Sequence, residues 1–227
     1  LSEILGMAFF SSPFDFEAVD YLENLNVPAY KIASFEITDI PLIKYVASKG
    51  KPVIISTGIA EEEDIQDALE ACISVGNDKI ASLKFTSSYP TPWDEVNLRV
   101  IPALRKKYSC IVGLSDHTLG SIVPIGATAL GAKIIEKHFI LDRDMGGPDA
   151  AFSMEPEEFK TMVNSIRIIE KALGNNEIVI SEKVKKSRDF ARSLFVVEDV
   201  KKGEVFSSAN IRSIRPGFGI KPKYYDS

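Results

Sequence analysis

The sequence predicts an α/β chain built as a (β/α)₈ TIM barrel and followed by a small β-rich domain. Three observations predict it. Apolar runs of strand length alternate with stretches whose apolar residues recur at helical spacing, the pattern of a parallel sheet buried on both faces. Small polar or charged residues close each apolar run, and a barrel collects its functional groups at that end of its strands. No GxGxxG follows the first run, which argues against a doubly wound sheet that cradles a dinucleotide at its first turn.

The elements follow in order. GMAFFSSP (6–13) is a predicted strand, and DFEAVDYLENLNV (15–27) a helix with Val19, Leu22 and Leu25 on one face. AYKIAS (29–34) is a strand, and DIPLIKYVASKG (39–50) a helix that Gly50 stops. KPVIISTG (51–58) is a strand. AEEEDIQDALEACISVGN (60–77) is a helix with acids in its first turn and Ile65, Leu69 and Cys72 facing inward. KIASLKFTSSYP (79–90), CIVGLSDHT (110–118) and KIIEKHFIL (133–141) are strands; VNLRVIPALRKKY (96–108) and SIVPIGATALGA (121–132) supply the helices between them. EPEEFKTMVNSIRIIEKALGN (155–175) is a closing helix, with Pro156 in its first turn and Phe159, Val163, Ile166 and Ile169 near one face. Six strands are counted where a closed barrel needs eight, so about two N-terminal βα units, on the order of 100 residues, are expected to be missing from this chain. The expected division is a barrel domain over 1–176, a charged linker over 177–190 and a β-rich domain over 191–227, with turns at Lys202-Gly203 and Pro216-Gly217.

Composition narrows the function classes. A net charge of −5 argues against a general nucleic-acid binder, though not against a local anion pocket. No apolar stretch reaches the roughly 20 residues that span a bilayer, and LSEILGMAFF has neither the basic start nor the cleavage site of a signal peptide. Cys72 and Cys110 are expected to be free thiols, which fits a reducing cytoplasm.

The chemistry gathers at the strand ends. Ser11-Ser12, Lys31 with Ser34, Ser56-Thr57-Gly58, Thr86-Ser87-Ser88-Tyr89, Ser115-Asp116-His117 and Glu136-Lys137-His138 converge on one mouth if the strands lie in a barrel. Short hydroxyls with a lysine suit a phosphate or carboxylate ligand. Serine and threonine also end strands for conformational reasons alone. The chain's two histidines, His117 and His138, stand 21 residues apart, one βα repeat. That spacing puts them on neighbouring strand ends, where two imidazoles can share a divalent ion. Asp116 and Glu136 flank them and could orient the rings instead of binding. The loop DRDMGGPDAAFSMEP (142–156) follows the last strand, and in it Asp149 is either a metal neighbour or proton handler, or a solvated turn residue.

FFSSPFD, YKIAS, PVIISTG, TSSYPTP, GLSDHT, IEKHFILDR and GGPDAAFSMEPEEF together resemble the sialic acid synthase family, the nonulosonate synthases that condense phosphoenolpyruvate with an amino sugar. KKGEVFSSANIRSIRPGFGI is similar to the start of that family's antifreeze-like SAF domain. The resemblance implies an enzyme in which His117 and His138 bind a divalent metal, usually Mn²⁺. Ser12, Lys31, Ser34, Ser56 and Ser115 would hold phosphoenolpyruvate. Ser87 stands where the family commonly has asparagine. Tyr89 and Asp149 would face the sugar, and Arg215 would reach the mouth from the partner subunit of a domain-swapped homodimer. Glu136 matches the family pattern and would support His138. Ala150 occupies a position where sialic and legionaminic acid synthases often carry histidine; with TSSYPTP, the loop is more similar to pseudaminic acid synthases, whose 6-deoxy sugar suits a less polar loop. N-acetylneuraminate or legionaminate synthesis by the same mechanism is the alternative. A non-catalytic sugar-binding barrel, an ice- or glycan-binding protein and another phosphoenolpyruvate aldol-type synthase are the further readings.

Overall fold

Five of the six predicted strands form one parallel sheet in the computed structural model, which describes residue 2 and residues 4–226. Strands β1 (Tyr30–Ile32), β2 (Val53–Ser56), β3 (Ile80–Phe85), β4 (Ile111–Asp116) and β5 (Ile135–Lys137) pair in sequence order. Parallel neighbours need crossovers. Helices α2 (Ile40–Ser48), α3 (Glu62–Ser74), α4 (Val100–Tyr108) and α5 (Ile122–Ala129) provide them, α1 (Phe16–Asn24) precedes β1, and α6 (Pro156–Leu173) follows β5. The predicted strand 6–13 does not form: among the described residues its one backbone link to β1 runs from the Lys31 N–H to the Ser11 carbonyl (3.2 Å), and Met7 and Phe9 stay exposed. One bond without a ladder does not hold a strand.

Local chemistry sets the helix boundaries. Asp15 and Asp39 cap α1 and α2, accepting from the Ala18 and Leu42 N–H groups at 2.7 and 3.1 Å. Reciprocal boxes, Glu61 with Asp64 and Glu155 with Glu158, open α3 and α6. Gly50 and Gly76 follow α2 and α3 with φ of 73° and 83°, which a side chain would resist. Leu25 caps α1 at its C-terminus and is exposed, so only Val19 and Leu22 of the predicted face are buried. On α6, Met162 is the buried residue; Phe159, Val163, Ile166 and Ile169 are half-buried.

Register divides the sheet into two faces. Lys31 pairs with Ile54, Ser56 with Leu83, Phe85 with Ser115, and Ser115 with Glu136, so these side chains share one face. Tyr30, Ile32, Val53, Ile55, Val112 and Leu114 take the other face and pack with α1–α5 into the main core. The core thus lies between strands and helices, while the opposite face carries the polar groups of the strand ends.

The chain divides into two compact units at Gly174 and Asn175. In the second unit β6 (Ser193–Val196) and β7 (Ile211–Ile214) make an antiparallel pair. The stretch read as linker contains a helix, α7 (Glu182–Ser187), because Ser181 accepts from the Val184 N–H (3.3 Å) and so caps it. A cavity of about 630 Å³ in this unit is lined mainly by apolar side chains, among them Leu194, Val196, Phe206 and Ile211.

Candidate active site

Four strands bring a lysine, two serines and a glutamate into contact. Lys31 in β1 is buried and donates from Nζ to Ser56 Oγ at the end of β2 (2.8 Å). The same Nζ lies 3.4 Å from Glu136 Oε1 in β5. Ser115 in β4 donates to that Glu136 oxygen at 2.5 Å. The link joins directly paired residues, since Ser115 and Glu136 are register partners. Ser34, in the short turn after β1, is buried and accepts from the Ile59 N–H (3.0 Å), fixing the loop after β2.

His117 and His138 each follow their strand by one residue. Their rings stand 4.8 Å apart between centroids. Together with Ser115, Glu136 and Lys137 they line a cavity of about 200 Å³. His117 Nδ1 is buried and has no hydrogen-bond partner. Burial first, then the positive charge of His138, Lys137 and Lys31, pushes His117 down to about 4. The imidazole is therefore neutral near pH 7, the form that binds a metal. His138 Nδ1 is 3.6 Å from Asp149 Oδ2, too long for a hydrogen bond. Among the described residues no cluster of three or more His, Cys, Asp or Glu side chains is assembled around one metal position. Two adjacent imidazoles, one with an orphaned buried nitrogen, nevertheless fit a divalent ion whose other positions water and substrate would complete.

Aromatic rings close the back of this site. Phe85 and Tyr89 pack on His117 with centroids at 4.7 and 4.6 Å, and Phe152 packs on His138 at 5.1 Å. Burial and the charges of Asp149 and Glu136 raise the Tyr89 hydroxyl, so it remains neutral. Phe85 was not legible as a site residue, because an aromatic at the end of an apolar run reads as core, and nothing in the loop 142–156 singled out Phe152. Ala150, the residue on which the loop argument rested, is itself buried. Its neighbour Phe152 is the side chain that meets the histidine.

Ser12, Ser87, Asp149 and Arg215 lie outside the strands. Ser12 is half-buried in the irregular segment ahead of α1, and Ser87 is exposed in the loop after β3. Asp149 is exposed at the start of a short 3₁₀ turn, Ala150–Phe152. Arg215 belongs to the second unit, where it follows β7 and is exposed. Asp116 and Lys137 point away from the mouth and pair behind it, with Oδ2 and Nζ 2.6 Å apart. Alternation along a strand was the only signal that could have placed them there.

A model of the NeuB family matches residues 2–178. The chain belongs to the NeuB family. It is 46% identical over 220 residues to the pseudaminic acid synthase of Campylobacter jejuni subsp. jejuni serotype O:2, covering 97% of this chain and 64% of that protein. It is 47% identical over 226 residues to the pseudaminic acid synthase of Helicobacter pylori, covering 99% of this chain and 66% of that one. The chain therefore spans just under two thirds of the length of these curated relatives. Among solved structures, the spore coat polysaccharide biosynthesis protein spsE of Bacillus subtilis superposes with a TM-score of 0.74 at 35% identity, covering 99% of this chain and 68% of that one. The five-stranded sheet is thus the curled half-barrel of a NeuB protein. The family match ends just past the first unit, whereas both synthases align through the second as well.

Proposed function

We propose that this chain carries the catalytic face of a pseudaminic acid synthase, which joins phosphoenolpyruvate to an N-acetylated amino-sugar aldehyde and releases phosphate. The observation that carries this reading is the convergence of Lys31, Ser56, Ser115 and Glu136 with two adjacent imidazoles on one face of the sheet. The names of the two synthases support the choice of sugar.

A buried ammonium with hydroxyls around it is an anion receptor. Lys31, Ser34, Ser56 and Ser115 hold the carboxylate and phosphate of phosphoenolpyruvate in this reading, with Ser12 beside them. His117 and His138 hold a divalent cation, Mn²⁺, which supplies Lewis-acid polarisation of the sugar carbonyl when bound. Tyr89 and Phe152 shape the wall against which the sugar lies, and Ser87 and Asp149 face it from their loops. C3 of phosphoenolpyruvate forms the new bond to the aldehyde carbon. Water adds at C2, the bond between C2 and the phosphate oxygen breaks as the C2 hydroxyl becomes the ketone, and that hydroxyl's proton leaves with inorganic phosphate. The proton given up by water balances the one gained by the new hydroxyl. Glu136 and Asp149 are the carboxylates able to carry it. Lys31 and the serine hydroxyls stay fixed while negative charge moves onto the departing phosphate.

The wider reading completes the half-barrel to eight strands and takes the second unit as the start of an SAF domain. Arg215 then serves as a substrate contact supplied across a homodimer. Two unpaired thiols fit a cytoplasmic location, and no described helix is long and apolar enough to cross a membrane.

The test uses the full-length protein with Mn²⁺, phosphoenolpyruvate and, separately, the 6-deoxy altrose-type diacetamido sugar, N-acetylmannosamine and the legionaminate precursor. Phosphate release and product mass are followed. Turnover is expected with the altrose-type sugar and lost by about 10²- to 10³-fold in His117→Ala, the scale set by removal of a group that stabilises charge in the transition state. Turnover with another sugar alone replaces the substrate assignment. No turnover with any of them sinks the reading.

A further inference from the structure

We propose that Asp116 and Lys137 form a cross-strand clamp that positions His117 and His138 for joint binding of a divalent cation. The inference rests on the reading of those imidazoles as metal ligands. Asp116 and Lys137 are register partners in β4 and β5, each one residue before a histidine. Their side chains are each 1% exposed and meet at 2.6 Å on the face opposite the mouth. Strand alternation then sends both histidines to the mouth.

The clamp grips His117 from both sides. Asp116 Oδ1 accepts from the Thr118 N–H at 3.1 Å, and Oδ2 accepts from the Thr118 hydroxyl at 3.1 Å. Lys137 Nζ donates to the Thr118 carbonyl as well as to Asp116. The residues before and after His117 are therefore tied to one another and to the strand that carries His138. The backbone around the histidines is braced further: the Thr91 N–H donates to the His117 carbonyl (3.0 Å) and the Met154 N–H to the His138 carbonyl (2.9 Å). Nothing equivalent holds the His117 ring through its own Nδ1. Its position is set through the backbone and by ring packing, so a fault in the clamp is transmitted directly to the ring.

Stability does not explain the pair. Moving two charges out of water costs about as much as their attraction returns, and apolar residues of similar size generally serve a fold as well. What an ion pair adds here is a fixed distance between two strand ends. Ser115 and Glu136 make the corresponding link on the mouth face, but Glu136 is also a chemical group of the site. The Asp116–Lys137 link is buried and has no part in the chemistry proposed for the mouth face.

The test is a Mn²⁺ titration of the full-length protein by electron paramagnetic resonance, without substrates, beside a thermal melt. In Asp116→Leu/Lys137→Met both charges are removed, so neither is stranded. The expected result is a cooperative melt with Mn²⁺ affinity about 10- to 100-fold weaker, the usual effect of removing groups that orient metal ligands. If the double variant does not melt cooperatively, Asp116→Asn/Lys137→Met keeps an acceptor for Thr118 and carries the same measurement. Affinity within about twofold of the unaltered protein in a folded variant overturns the clamp. A third arm, His117→Ala/His138→Ala, isolates the underlying reading: Mn²⁺ binding that survives it, or is absent from the unaltered protein, removes the metal assignment. The clamp is then decided by the ¹⁵N resonances of the two histidines without metal. Resonances that shift in the clamp variant uphold positioning of the rings; unchanged resonances overturn it.

Discussion

At Gly58, just beyond β2, an added Cβ would lie 2.1 Å from Phe85 Cδ1 and 2.7 Å from Ser34 Oγ. Both neighbours matter to the site. Phe85 packs on His117, and Ser34 receives the Ile59 N–H. A methyl group there must displace an aromatic ring or a hydroxyl, because the backbone between them is fixed by the sheet. Gly58→Ala is expected to lower kcat/KM by roughly 10²-fold, the scale of a misplacement near 1 Å. Steady-state kinetics on the folded variant decide it, and activity within twofold of the parent contradicts the packing argument. The sequence placed Gly58 in a strand-end motif. It could not show which side chains leave no room for a Cβ, because Ser34 and Phe85 lie 24 and 27 residues away along the chain.

Helix α6 shows how one element supports the loop over the mouth. Glu158 accepts from the Glu155 N–H at 3.0 Å and pairs with Arg143, whose Nε donates to the Ser153 carbonyl at 3.0 Å. The helix start and the loop containing Asp149 and Phe152 are thereby joined. The Glu155 N–H bond first, and then the bond and charge of Arg143, hold the Glu158 carboxyl below its ordinary value. A carboxylate depressed in the fold stabilises above the unfolded pKa of about 4.3, and that contribution disappears as pH falls through the folded value. The side chain is 45% exposed, so solvent screens most of the ionic part and the cap geometry dominates. Glu158→Ala is expected to cost about 1 kcal/mol at pH 7 and distinctly less near pH 3. Urea melts at the two pH values measure the difference. Equal losses would assign the effect to something other than ionised Glu158.

At the scale of the whole molecule, the five-stranded sheet has two edges, β1 and β5. Large apolar side chains are also exposed in the first unit, including Phe9, Phe14, Phe16 and Trp93. Unpaired strand edges and broad apolar patches invite association. The 227-residue polypeptide made by itself is expected to bind a hydrophobic dye and to melt broadly, and circular dichroism with dye fluorescence tests this. A single sharp transition without dye binding would show that the apolar surface is satisfied within this chain.

Local pattern was enough for much of this architecture. The alternation of apolar runs and helical stretches, the capping residues Asp15, Asp39 and Glu155, and the 21-residue spacing of His117 and His138 depend on neighbours within a turn or one βα repeat. The two histidines do meet, with ring centroids 4.8 Å apart, as the 21-residue spacing predicted for neighbouring barrel strands. Only the tertiary structure decided which face each strand residue takes and what it finds there. Residues 6–13 have strand character but lack a ladder. Ala150 is buried and Phe152 holds the position beside His138. Asp116, next to a histidine in sequence, turns its back on the mouth and finds Lys137. Strand pairing, burial and ion pairing are properties of residues brought together from distant parts of the chain, and no short-range periodicity carries them.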